Sequence, residues 1–284
     1  QFDFSIKRTS SHVSEVSVAQ VLGDGPYQAT GFAAQLRESL GIQHDDEDLA
    51  MPVTWDTAHL LNLAVTDVRD AQTESGSHFR LFVRRCNVFN HILANGKGFA
   101  FLQMVDKDAR KPVSYATQRF ASSSYQQWLT IEKSYESLWK AFDLLHPRRS
   151  EEEEWQYMIA GSDFVADLLG FLDIMEPVID LMLRAQALDT PIWKLKLWWP
   201  NVKAKLMKAS RGESEAFPRL NKALPTLKPG GSFKAVTLLE GWLIVKDDGA
   251  QAGENRFKWK AREDSDVEAD RERLARDLAA AFDR

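Results

Sequence analysis

Residues 16–40 read VSVAQVLGDGPYQATGFAAQLRESL. The first seven, Val16–Leu22, are apolar and Val-rich, the composition of a buried strand. Gly23-Asp24-Gly25-Pro26 punctuates the chain as a turn. Phe32, Ala33, Leu36 and Leu40 then recur at helical spacing, and Gly41 is a natural stop. A strand, a turn carrying a carboxylate and a helix form the opening unit of an α/β fold.

Working outward, His44–Asp48 (HDDED) is an acidic loop. Met51–Trp55 (MPVTW) is a second short strand with Pro52 near its start. Asp56 is an N-cap for a helix through about Val68 that carries His59, Leu60, Leu63 and Ala64. A helix is expected near His78–Ala94, closed by Asn95-Gly96. Phe99–Val105 is ambiguous between strand and helix, and Pro112–Phe120 reads as extended. Ser122–Leu145 is a long helix with Trp128, Ile131, Tyr135, Leu138, Trp139 and Phe142 near helical spacing. His146-Pro147 breaks it, and Ser150 with Glu153 makes a capping box for the next helix. Up to Ala209 the pattern stays helical, strongest in Phe164–Leu183, with Pro191 and Pro200 dividing it. Glu213–Gly231 is loop-like, and Ser232–Val245 holds two short apolar pieces around Gly241. Asp264–Arg284 is an amphipathic helix with Leu274, Leu278 and Phe282 on one face.

The totals constrain function only broadly. A chain of 284 residues with 44% hydrophobic residues buries a core without a metal or disulfide staple. Nine Trp and sixteen Phe make that core aromatic-rich. The net charge of −5 excludes a surface that is basic throughout but leaves room for local basic patches. Cys86 is the only cysteine, so neither an internal disulfide nor a multi-Cys zinc site is available, and a reducing compartment is the natural reading. No apolar run is long enough for a membrane helix.

Candidate chemistry is sparse. Asp24 at a strand end is one oxygen donor, and a divalent metal needs several; Asp and Gly are also the residues that simply make turns. His59 lies three residues from Asp56 and from Asn62 on a helix, a spacing that suits either a metal or acid–base group or plain packing and capping. Nucleotide-binding and nucleophile-elbow motifs are absent. Cys86, beside Arg84 and Arg85, sits mid-helix between Phe82 and Phe89 as a core residue does. Arg80, Arg84 and Arg85 form a small basic strip.

The clearest charge feature is Lys194–Arg211 (KLKLWWPNVKAKLMKASR), in which Lys194, Lys196, Lys203, Lys205, Lys208 and Arg211 stand with no acidic residue between them. Trp193, Trp198 and Trp199 interleave. Lysines neutralise phosphates and tryptophans stack on unpaired bases. The same pattern also describes an amphipathic helix with inward Trp and solvated Lys. Both readings stand at this point.

The order of strand, Asp turn, helix, short strand and Asp56-Thr57-Ala58-His59-Leu60-Leu61-Asn62-Leu63 resembles the RNase H-like core of hAT-superfamily DNA transposases and their domesticated relatives. The resemblance implies that Asp24 is the second member of an acidic metal-binding triad. It also aligns His59 with the His of the family's Cys-x-x-His pair, where Asp56 replaces the Cys. Thr117–Ser124 resembles the entry to that family's all-helical insertion. The implied fold class is an α-rich α/β protein: a partial RNase H-like core over 1–120, an α-helical insertion over 121–212, and a loop with a return to the core and a C-terminal helix over 213–284. Family activity would be Mg2+- or Mn2+-dependent DNA strand transfer in the nucleus. The departures are specific. No aspartate on an upstream strand is evident, since only Asp3 precedes Glu15. Nothing selects Glu263, Glu268 or Glu272 as the glutamate beyond the insertion, and one cysteine cannot build a zinc finger. The chain, which begins at Gln1, reads as a middle section or a relic. A catalytically incomplete, DNA-contacting protein is therefore expected, with no cofactor unless the triad is completed and with homo-oligomers open. A non-enzymatic helical interaction or scaffold protein is the alternative, and an active metal nuclease requires Asp24 to meet two further carboxylates.

Overall fold

The computed structural model describes residues 21–23, 53–55, 57–93, 96–109, 120–145, 159–186, 193–246 and 257–283. The chain divides into two units, 1–59 and 60–284. In the first, β1 (Val21–Gly23) pairs in parallel with β2 (Val53–Trp55), with Val21 opposite Val53 and Gly23 opposite Trp55. Parallel partners require a crossover connection, and residues 24–52 have the length for one. Asp24, Asp56, the expected helix up to Leu40, the acidic loop, the Ser150–Glu153 capping box and all of the expected extended stretch Pro112–Phe120 except Phe120, which is helical, lie outside the described residues.

The second unit is helix-rich. α1 (Thr57–Asp70) runs into it and is followed by α2 (Glu74–Leu93), α3 (Gly96–Val105), α4 (Phe120–Leu144), α5 (Ser162–Ala185), α6 (Trp193–Ala209), the short α7 (Pro218–Ala223) and α8 (Asp264–Ala281). Two antiparallel ribbons complete it: β3 (Ser232–Phe233) with β4 (Val236–Thr237), and β5 (Trp242–Lys246) with β6 (Phe257–Ala261). One hydrophobic core draws on all three expected segments, from Leu61 and Phe79 through Trp128 and Leu172 to Leu274 and Leu278. Its centre is aromatic. Phe82 meets Phe171 edge-on at 4.3 Å and Trp128 at 5.0 Å. Such edge contacts add to the burial of large rings.

One open reading is resolved and two expectations need correcting. Phe99–Val105 is helical, as α3, because Leu102 at its centre packs into the core and Met104 points out. Glu213–Gly231 is not plain loop: α7 stands within it, flanked by 3₁₀ turns at Ser214–Ala216 and Leu224–Thr226. Pro218 opens α7, and the Asp173 carboxylate of α5 accepts from the Arg219 and Leu220 amides at 3.0 and 3.1 Å, which caps it. Pro200 does not divide the chain, because it lies inside α6 on an exposed side. Lys196, whose carbonyl loses its usual donor to the proline, is exposed, and solvation of that carbonyl would lower the usual cost of a helical proline.

Backbone proximity positions the C-terminal segment. Leu239 exchanges backbone hydrogen bonds with Ala160 and Ser162 at 2.9 and 3.0 Å, and the Arg262 amide donates to the Gly241 carbonyl at 2.9 Å. A Cβ at Gly241 would stand 2.6 Å from the Asp163 Cβ, so only glycine allows this approach. Gly241→Ala is expected to lower the unfolding free energy by about 1–3 kcal/mol, as overpacking does. Chemical denaturation checks this; an unchanged midpoint contradicts the close approach.

Candidate functional site

Two regions concentrate polar chemistry in the second unit. The first is buried. Asp163 and Asp167 project from the first turns of α5, four residues apart and therefore on one face. His78 and Arg85 come from α2, Arg262 from the end of β6, and Asp270 from α8. The Arg85 guanidinium donates to both Asp163 oxygens, at 2.6 and 3.0 Å. The Arg262 side chain, fully buried, reaches Asp167 at 2.5 Å and Asp163 at 3.4 Å with one nitrogen. With the other it reaches Asp270 at 2.8 Å and the His78 Nδ1 at 2.8 Å. His78 in turn lies 3.3 Å from Asp167 through Nε2 and 3.1 Å from Asp270 through Nδ1.

Nδ1 cannot both accept from Arg262 and donate to Asp270. The charges decide between these. A protonated imidazole joins Arg85 and Arg262 against Asp163, Asp167 and Asp270, and Arg273 at the edge of the cluster also donates to Asp270 at 2.7 Å. Burial pushes the imidazole toward neutrality, but Asp167 and Asp270 outweigh it and raise its pKa. Burial likewise opposes the charge on Asp167 and Asp270. Arg262 and His78 beside Asp167, and His78 and Arg273 beside Asp270, nevertheless hold both carboxyls well below the usual range.

These groups tie four elements together, and they do not suit a metal. The guanidinium of Arg262 takes the place a cation would occupy among the carboxylates. Among the described residues no group of three or more His, Cys, Asp or Glu side chains is disposed to hold a metal ion. His59 is half-buried on α1. Its sequence neighbour Asn62 is buried and accepts from the Ala121 amide at 3.0 Å, capping α4. The Arg80–Arg85 strip does not form: Arg80 donates to the Arg69 and Ala71 carbonyls at the end of α1, Arg85 is buried, and Arg84 is exposed. Cys86 is fully buried, which pushes its thiol pKa well up despite the adjacent Arg85.

The second region is α6. Leu195, Val202, Leu206 and Ala209 form its buried stripe, and burying side chains of this kind contributes roughly 1.5–3 kcal/mol each for the larger ones. Trp198 and Trp199 pack beside that stripe. Arg184 of α5 lies over the Trp198 ring at 4.9 Å, and Trp199 meets Phe282 edge-on at 5.4 Å. Lys203 pairs with Asp283, Lys208 with Glu215 and Arg211 with Glu213, at 2.6, 2.6 and 2.7 Å. Lys196 and Lys205 are exposed, and Lys194 is half-buried. Both tryptophans thus pack against neighbours, and three of the six basic side chains face acids contributed from outside α6. On the side opposite the buried stripe, Leu197, Pro200, Ala204 and Met207 are exposed, Leu197 by 62%.

Compared with known proteins, the chain matches no family model, no curated protein and no solved structure. No helix among the described residues is long and apolar enough to cross a membrane.

The buried cluster has a pH signature. A raised His78 pKa means its contribution is complete below about 6.5, the ordinary histidine value, and is lost as pH rises through the higher folded value. The depressed Asp167 and Asp270 contribute fully above their ordinary 3.8 and lose that contribution as pH falls. Unfolding free energy measured in urea should therefore decline on both sides of that window. His78→Gln should flatten the alkaline limb, and an alkaline limb that persists unchanged in H78Q contradicts the assignment.

Proposed function

We propose that this is a hAT-transposase-like protein, with an RNase H-like part around β1 and β2, that works by binding and not by metal-dependent strand transfer of its own. The strand order and the parallel β1–β2 pairing support the family reading. One observation carries the binding reading: α6 turns an apolar face outward while its opposite face is buried. A surface helix of a globular domain normally has one apolar side. A second, exposed one of several residues marks an interaction surface. The partner is read as a protein because the outward face itself is apolar, Leu197, Pro200, Ala204 and Met207 offering no charge to a phosphate backbone.

A second reading, contact with DNA through Lys194–Arg211, is favoured by the absence of acidic residues in the helix itself. It requires an affinity that falls steeply with salt as phosphate counterions are released. Salt-independent binding, or none at low salt, removes it.

A photo-cross-linking residue placed at Leu197 of the full chain, with Lys97 as the exposed control position, separates these in cells. Protein adducts at 197 and not at 97 are the expected result. Nucleic-acid adducts at 197 support the second reading, and equal adducts at both positions, or none at 197, contradict both.

A further inference from the structure

The outward face of α6 has a register. Leu197, Pro200, Ala204 and Met207 are spaced by three, four and three residues, the a–d–a–d seam of a coiled coil. All four are exposed. The buried Leu195, Val202 and Ala209 fall at f, the position farthest from that seam. The helix is therefore docked on the body by its back and leaves a two-heptad seam facing out. Leu197 and Met207 stand at the ends, with the smaller Pro200 and Ala204 between them, where a partner helix can insert a large side chain.

The flanks of the seam share one sign. Lys196 and Lys203 occupy g; Lys194, Asn201 and Lys208 occupy e, with Lys205 next to that row at b. Residues at e and g select the partner of a coiled coil by charge. A second copy of this chain would set lysine against lysine in either orientation, g against e when parallel, and g against g when antiparallel. Self-pairing is disfavoured for that reason. Acidic residues on a partner's flanks would instead meet lysines along both edges.

We infer that this seam is the docking site for an amphipathic helix of another protein, apolar at a and d and bearing Glu or Asp at e and g. The inference rests on the binding reading above and specifies its partner. Lys203 and Lys208 are available for exchange although each already pairs within the chain. Those pairs, with Asp283 and Glu215, lie on the surface with more than 40% of each side chain exposed. Surface pairs of this kind are weak, so transferring them to a partner carboxylate costs little. Helix-in-groove recognition of this type reads anchors at i, i+3, i+7 and i+10, which Leu197 to Met207 supply.

The probe is a synthetic three-heptad peptide with Leu at a and d and Glu at e and g, which like-charge repulsion keeps monomeric at neutral pH. It is titrated into the full chain by fluorescence anisotropy beside a control peptide with Lys at e and g. The Glu peptide is expected to bind about tenfold more tightly or better than the Lys peptide, the sum of several weak flanking pairs. Leu197→Asp with Met207→Asp should abolish binding while circular dichroism shows the helical fold retained, Leu197 being 62% and Met207 37% exposed. Lys196→Glu with Lys203→Glu should cancel most of the preference, because the g edge then repels the Glu peptide while Lys194 and Lys208 at e still attract it; simple misfolding would instead weaken both peptides together. Equal binding of the two peptides, binding that survives L197D/M207D, or self-association through the seam would overturn the inference. So would binding of duplex DNA with none of the Glu peptide. If a cross-linker at 197 captures protein while the Glu peptide fails, the binding reading stands and the acidic-helix partner does not.

Discussion

The second unit depends on a guanidinium that solvent does not reach. Arg262 stands at the end of β6, where the ribbon gives way to α8, and its two terminal nitrogens contact Asp163, Asp167, Asp270 and His78. An isolated buried charge is too costly to retain, so each member of the cluster requires the others. α5 supplies two carboxylates, α2 a histidine and an arginine, and α8 the third carboxylate. Removing Arg262 would leave Asp167 with His78 as its one remaining cationic contact among the described residues, while Asp163 keeps Arg85 and Asp270 keeps Arg273. The close pass of Gly241 against Asp163 and the backbone bond from Arg262 to Gly241 bring the guanidinium to this place.

With α2, α5 and α8 joined in this way, α6 has two elements to lie on. It packs against α5 through Trp198 and Arg184, and against the end of α8 through Trp199, Phe282 and the Lys203–Asp283 pair. Its inner stripe is used fully and its outer stripe is left bare. The function proposed here follows from that asymmetry. The polar chemistry of the interior holds the body together, and the surface proposed to meet another molecule is a single helix whose apolar seam lies between lysine rows.

Helices were legible where periodicity was strong and long. The patterns at Ser122–Leu145, Phe164–Leu183 and Asp264–Arg284 correspond to α4, α5 and α8 within a few residues. α7 was hidden because Pro218, Pro225, Pro229 and Gly230-Gly231 make the stretch read as loop, while its cap, Asp173, lies 45 residues before Pro218 in sequence. Pro200 misled for a related reason: a proline breaks a helix in isolation, but packing on both sides of it holds α6 straight through. The buried cluster had no local signal at all. Arg262, Asp163 and His78 each look like ordinary charged residues, and only the tertiary fold brings them together from separations of 95 residues and more with respect to Arg262 on α5. Lys194–Arg211 was visible as a basic stretch; that its acids come from Glu213, Glu215 and Asp283 outside the helix was not. The resemblance to hAT transposases rests on Asp24 and the His59 helix, of which Asp24 lies outside the described residues.

The central claim is that Arg262 and the α5 carboxylates act as one energetic unit. A double-mutant cycle between Arg262→Met and Asp167→Asn, followed by urea unfolding near pH 6, measures this directly. Either single change breaks a buried pair and is expected to cost about 3–5 kcal/mol. The double variant should cost clearly less than the sum, with a coupling of roughly 1–3 kcal/mol. Additive effects, within about 0.5 kcal/mol, would show the two side chains to be independent and would contradict the account.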